Sequence, residues 1–245
     1  MAGRLATVAL VAWLFTGCAG AEAPQALLTQ SSTTSTTAST TTSSTTTTST
    51  TTTPTTTIPT TTVPLRPVTQ QPYTPFATAG GVVLRHPAAR VERIGFHESN
   101  LDGAQQLATL PTSAPTLVLE GRARDTMARG AADVVVDPES EIRAPVTGTV
   151  RYAGTYVLYC KYSDDFLIIE PDDHPGWEVK VLHIDGVRVR SGARVQAGVT
   201  VVAPRATKLP FESQVEEGAY RPAWPHVHIE INDPTVPDRP TGPGC

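Results

Sequence analysis

From about Gln30 to Val63 the chain is almost pure threonine and serine with scattered proline. Such a run offers no apolar surface to bury and cannot offset the entropy of ordering its backbone. It takes no part in a core, and so confines any fold to the residues C-terminal to it. Pro64 to Pro75 continues as linker, which makes residues 19–75 a disordered stalk and puts the expected start of structure near Phe76. The remainder is one domain of ordinary size, large enough for a hydrophobic core.

The segment before the stalk addresses the compartment. Arg4 supplies a positive start, and Leu5 to Phe15 form an apolar stretch too short for a mature membrane-spanning helix. It ends in Leu14-Phe15-Thr16-Gly17-Cys18, small residues leading into a cysteine. This resembles a bacterial lipoprotein signal over residues 1–18, in which Cys18 is lipidated and becomes the new N-terminus. Such signals usually carry leucine where this chain has Phe15. An ordinary secretory signal cut within Ala19 to Ala23 is the other reading. Both imply export, and lipidation implies anchorage to the outer face of the bacterial cytoplasmic membrane, with the stalk reaching into the cell wall.

A formal net charge of -4 and the lack of any Lys/Arg cluster argue against nucleic acid as a partner. Few aromatics also argue against a stacking platform for single strands. With Cys18 lipidated, Cys160 and Cys245 remain as an even pair in an oxidising compartment. The expectation is a disulfide tying the C-terminal tail to the sheet, the alternative being two free thiols.

After the stalk, short β-rich runs separated by Gly, Pro and Asp dominate. They are Gly81–Arg85, Ala89–Ile94, Thr116–Leu119, Asp133–Val136, Thr149–Ala153, Tyr156–Tyr159, Phe166–Glu170, Glu178–Ile184, Val199–Ala203 and His226–Ile231. This spacing predicts an all-β sandwich or open barrel. Ser99 to Ala108 is the one helix candidate, with Ser99 or Asn100 as its cap. In the last run, Trp224-Pro225-His226-Val227-His228-Ile229-Glu230-Ile231, strand alternation puts Trp224, His226, His228 and Glu230 on one face.

Two further pieces occur together in a known β architecture. One is Ile142-Arg143-Ala144-Pro145-Val146-Thr147-Gly148-Thr149-Val150, and the other runs from Val187 to Gly198 as V-R-V-R-S-G-A-R-V-Q-A-G. Both are found in lipoyl-type carrier domains, but no lysine hairpin of the Met-Lys-Met type lies between them. With His183 in Val181-Leu182-His183-Ile184 and His226-Val227-His228, the order resembles the lysostaphin-type, or LytM-like, zinc peptidases over roughly Gly121 to Asn232. That resemblance implies a β-sandwich of duplicated-hybrid-motif (barrel-sandwich) character. It divides the folded part into an N-terminal extension, residues 76–120, and a peptidase-like domain, residues 121–245.

The resemblance also implies roles. Asp133 and His228 match two zinc ligands of the family. His183 and His226 match the imidazoles that handle protons beside the metal; Glu230 reads as an acceptor orienting an imidazole, the alternative being a surface charge. A tetrahedral zinc with an open position polarises a scissile carbonyl and acidifies water, and neighbouring imidazoles suit the proton transfers. One position departs from the pattern. Four residues before Asp133 the family has a ligand histidine, and here stands Arg129, which has no lone pair for a metal. Arg129 pairing with Asp133 is then a competitor to zinc ligation. His97 is the best alternative ligand, followed by His86 or Asp137; a capping or surface role for His97 is the other reading. His174 reads as a solvated turn residue.

The expected functions are accordingly two. One is a zinc endopeptidase of the cell wall acting on peptidoglycan stem or cross-bridge peptides, with catalysis impaired by the missing histidine. The other is a non-catalytic module that binds wall peptides or regulates a partner hydrolase.

Overall fold

The computed structural model describes residues 66–70 and 72–239, all within the compact unit Thr60–Cys245. The apolar stretch Leu5–Phe15, Cys18, the Thr/Ser tract and Cys245 lie outside the described residues. Among those described, no helix is long and apolar enough to cross a membrane.

The chain is all-β with one short helix. The elements are β1 (Thr69–Gln70), β2 (Pro75–Ala79), β3 (Val82–Arg85), β4 (Arg90–His97), β5 (Ala108–Thr109), β6 (Thr116–Val118), β7 (Ala131–Val136) and β8 (Ile142–Arg143). Next come β9 (Gly148–Leu158), β10 (Tyr162–Pro171), β11 (Glu178–Asp185), β12 (Arg194–Val195), β13 (Val201–Ala203), β14 (Arg205–Ala206), α1 (Gln214–Glu217) and β15 (His226–Asn232). The main sheet runs β1-β4-β7-β15-β11-β10-β9-β12, antiparallel throughout. Off this path, β6 adds in parallel to β4, and β14 pairs with β11. Two small sheets, β13-β8 and β3-β2-β5, complete the strand set.

One core unites these sheets. Phe76, Leu84, Val91, Ile94, Phe96, Val134, Ile142, Leu167, Ile169, Val181, Val227, Ile229 and Ile231 are among its buried members. Alternation explains the selection: on β15, Val227, Ile229 and Ile231 enter the core, so His226, His228 and Glu230 project to the opposite face.

Three expectations are corrected here. The stalk does not extend to residue 75, because β1 pairs with β4 and Arg66 is already fixed by the fold. Arg66 forms an ion pair with Glu92, donates to the carbonyl oxygens of Tyr220 (3.0 Å) and Pro222, and lies 4.3 Å over the Trp224 ring. Second, residues 76–120 are no appendage, since β4 occupies the interior of the main sheet beside β7. Third, Ser99–Ala108 is not helical. The Ser99 hydroxyl accepts the Leu101 N–H (3.0 Å), a local bond that makes a turn, and donates to Glu230. Gly103 is then pressed against the Asp233 carbonyl, where an added Cβ would lie 2.2 Å from the oxygen.

Candidate metal and catalytic centre

Asp133 sits at the middle of the site, on β7 between β4 and β15. Register sets its neighbours: His228 of β15 stands directly opposite it, and so does Gly95 of β4. His97, two residues on from Gly95, shares that face. Gly95 matters because a Cβ there would come within 2.8 Å of Val215. Its absence lets α1 pack down on the sheet, and α1 brings Glu216 with it.

His97, Asp133 and His228 offer one ligand atom each, all within 4.8 Å of one another. His97 Nδ1 lies 2.7 Å from the Glu98 carbonyl oxygen, which can only accept, so Nδ1 carries the proton. That leaves Nε2 of the neutral ring as a buried lone pair without a hydrogen-bond partner among the described residues, 3.1 Å from Asp133 Oδ1. A lone pair facing a carboxylate at that distance fits a cation between them. His228 Nδ1 lies 2.9 Å from the same Oδ1, and its Nε2 is 3.4 Å from Glu230. The donor set of two imidazoles and a carboxylate suits zinc with one position left open.

The charges reflect this crowding. Burial opposes ionisation of Asp133, but the histidines around it, His228 by a direct hydrogen bond, outweigh it and hold the carboxyl well below its usual range. Burial likewise disfavours a charged His228, yet hydrogen bonds to Asp133 and Glu230 prevail and raise it to about 9. In the absence of metal, the imidazolium supplies the positive charge that the two carboxylates require.

The other two histidines stand on the same face, each backed by a carboxylate. His226 Nδ1 lies 2.8 Å from Glu216 Oε1, and Lys208 holds the other Glu216 oxygen at 3.0 Å. His183 Nδ1 lies 2.6 Å from Asp164 Oδ2, which also accepts the Tyr156 hydroxyl at 2.9 Å. A carboxylate can only accept, so each neutral ring carries its proton on Nδ1 and leaves Nε2 bare. The His183 and His226 rings are 4.9 Å apart, centre to centre.

His183 reaches this face by an irregularity. Strand alternation would send Leu182 and His183 to opposite sides, yet both line the groove. The β10–β11 register shifts between Asp165 and Phe166, leaving His183 unpaired in the ladder with φ of 62°. A bulge of this kind re-aims a side chain, and left-handed backbone at a non-glycine residue is tolerated only where its surroundings hold it.

The groove over these residues has a volume of about 600 Å³. Leu158, Tyr159, Leu209 and Phe211 line one part, and Arg122 and Arg124 line another. Tyr159 belongs to the β9–β10 turn, where it and Cys160 both take positive φ. Cys160 is disulfide-bonded, and the chain's other two cysteines, Cys18 and Cys245, lie outside the described residues.

Of the residues expected from sequence, the structure gathers His97, Asp133, His183, His226, His228 and Glu230 into one site. Glu230 accepts the Ser99 hydroxyl at 2.6 Å and faces His228. Arg129 forms no ion pair with Asp133, so that competition does not arise; its carbonyl instead accepts the Leu107 N–H. Asp137 is not a ligand, because it pairs with Arg90 at the end of β7. His86 is core, packed on Phe76 and bonded to Thr112. His174 stacks on Trp177 in the β10–β11 turn. Sequence reasoning missed Asp164, Glu216 and Tyr156, which no spacing rule links to the histidines they contact.

Comparison of the chain with protein-family models, with curated proteins and with solved structures gave no match in any of the three.

Proposed function

We propose that this chain is a zinc-dependent endopeptidase of the bacterial cell wall, exported as a lipoprotein on Cys18 and acting on peptidoglycan stem or cross-bridge peptides. The observation that carries this reading is His97. It stands in the ligand set that Arg129 cannot complete, with an unpartnered buried Nε2 turned to Asp133.

His97, Asp133 and His228 would hold the ion. When bound, it supplies Lewis-acid polarisation of a carbonyl and acidification of water. Asp164 and Glu216 fix the rings of His183 and His226, so that the bare Nε2 of each can take a proton from water or return one to a leaving amine. Glu230 turns His228 toward Asp133 and ties it to Ser99. The groove, walled in part by Leu158, Tyr159, Leu209 and Phe211, has room for an extended peptide.

A non-catalytic wall-binding module or regulator of another hydrolase would need no such pair of carboxylate-backed imidazoles. A guanidinium lodged between Asp133 and His228 would have favoured it, and Arg129 makes no such contact. The deciding experiment is elemental analysis of the purified protein combined with mass spectrometry of digested muropeptides. About one zinc per chain and muropeptide cleavage lost on His226→Ala are expected. Folded protein that stays zinc-free after dialysis against zinc would sink the reading.

A further inference from the structure

The groove carries a charged feature that the proposed reaction does not use. Between Glu120 and Thr126 the chain passes along the groove on a loop with two non-glycine residues in left-handed conformation, Ala123 (φ 54°) and Asp125 (φ 56°). Such backbone persists only where its surroundings over-determine it. Here the hold is Glu98: its Oε2 accepts the backbone N–H of Arg122 at 2.9 Å and of Arg124 at 3.0 Å. Glu98 directly follows His97, so the loop is pinned to the strand that bears a metal ligand.

The consequence is that Arg122 and Arg124 both line the groove with the histidine cluster. Glu98 spends one carboxylate oxygen on backbone, and neither guanidinium forms an ion pair among the described residues. Arg122 Nε donates to Gln214 Oε1, and one Arg124 nitrogen donates to the Glu98 carbonyl at 2.7 Å. Among the described residues, the rest of each fork has no side-chain partner. Burial and the nearby Arg122 both work against the charge on Arg124. Glu98, Tyr159 and Asp133 offset this at longer range, and Glu217 also lines the groove. A strained loop thus holds two cations together without an ion pair among the described residues, and guanidinium forks match carboxylates in geometry.

We propose that Arg122 and Arg124 form a subsite for a free carboxylate on the peptide that occupies the groove. Which peptide rests on the peptidase reading; the carboxylate preference does not. In peptidoglycan stems the isoglutamyl residue carries such a group, and its amidation to isoglutamine removes the charge.

The test uses two synthetic stem peptides that differ only in isoglutamate versus isoglutamine. Their binding to the purified protein is measured by calorimetry with and without added zinc. The acid form should bind about tenfold or more tightly than the amide, a typical gain from charge-assisted bonds. It should also shift the Arg122 and Arg124 Nε–H resonances of the wild-type protein, a readout that needs no variant. Arg122→Gln with Arg124→Gln should abolish the preference at unchanged zinc content. Equal affinity for both peptides, unmoved arginine resonances, or a preference that survives in the double variant would overturn the subsite. If the preference holds and neither peptide is cleaved, the subsite stands and the peptidase reading falls.

Discussion

His97 and Asp133 meet across two strands, with Nε2 of one 3.1 Å from Oδ1 of the other, although Arg129, four residues before Asp133, cannot bind metal. The candidate ligand that local spacing fails to supply comes from the neighbouring strand β4 instead. The face of a sheet, and not the order of residues along one strand, decides what a carboxylate can share with an imidazole.

This relationship predicts the metal dependence. His97→Ala should weaken zinc binding by more than about 100-fold, the upper end of losses seen when only an outer-shell partner is removed. Arg129→Ala should leave zinc binding unchanged. Competition titration against a chromogenic chelator measures both, and equal losses in the two variants would contradict the assignment.

Asp164→Asn should reverse the tautomer of His183. Asp164 Oδ1 accepts the Asp165 N–H at 2.9 Å, so that position must stay an oxygen. The amide nitrogen then takes the place of Oδ2, donates to His183 Nδ1 and forces the proton onto Nε2. Nitrogen-15 spectra of the imidazoles should report the switch. Peptide cleavage should fall by about 100-fold or more through kcat, the usual scale for a lost proton acceptor.

How much of this was legible in the sequence differs by residue. Alternation on β15 gave the shared face of His226, His228 and Glu230, because a strand with one side in the core has a single register that buries its apolar set. His183 was found only through its neighbours' pattern, since its own bulge breaks the alternation. His97 was equivocal because the β-rich run read from the sequence ends at Ile94, before Gly95, while pairing with β7 carries β4 on to His97 itself. Asp164 and Glu216 were invisible: each meets its histidine through tertiary packing, Glu216 from a helix whose descent depends on Gly95 having no side chain.

His86 sets an acid limit on stability. Burial depresses its pKa from 6.5 to about 4. Above pH 6.5 the ring is neutral in both folded and unfolded chains. As pH falls from 6.5 towards 4, the unfolded chain takes up the proton and the folded one does not, so stability declines by up to roughly 3 kcal/mol. Urea unfolding at pH 7 and pH 4.5 should show a smaller decline for His86→Leu than for the wild type.

Cys160 is disulfide-bonded, and Cys245 is the expected partner. Mass mapping of a non-reduced digest should join the two peptides. Recovery of Cys160 linked to anything else would reject the pairing.

Arg66 grips Glu92 on β4, the carbonyls of Tyr220 and Pro222 beyond α1, and the Trp224 ring just before β15. These are the segments that frame the histidine cluster. One guanidinium therefore holds the segment before β1 to β4 and to the entry of β15 at once.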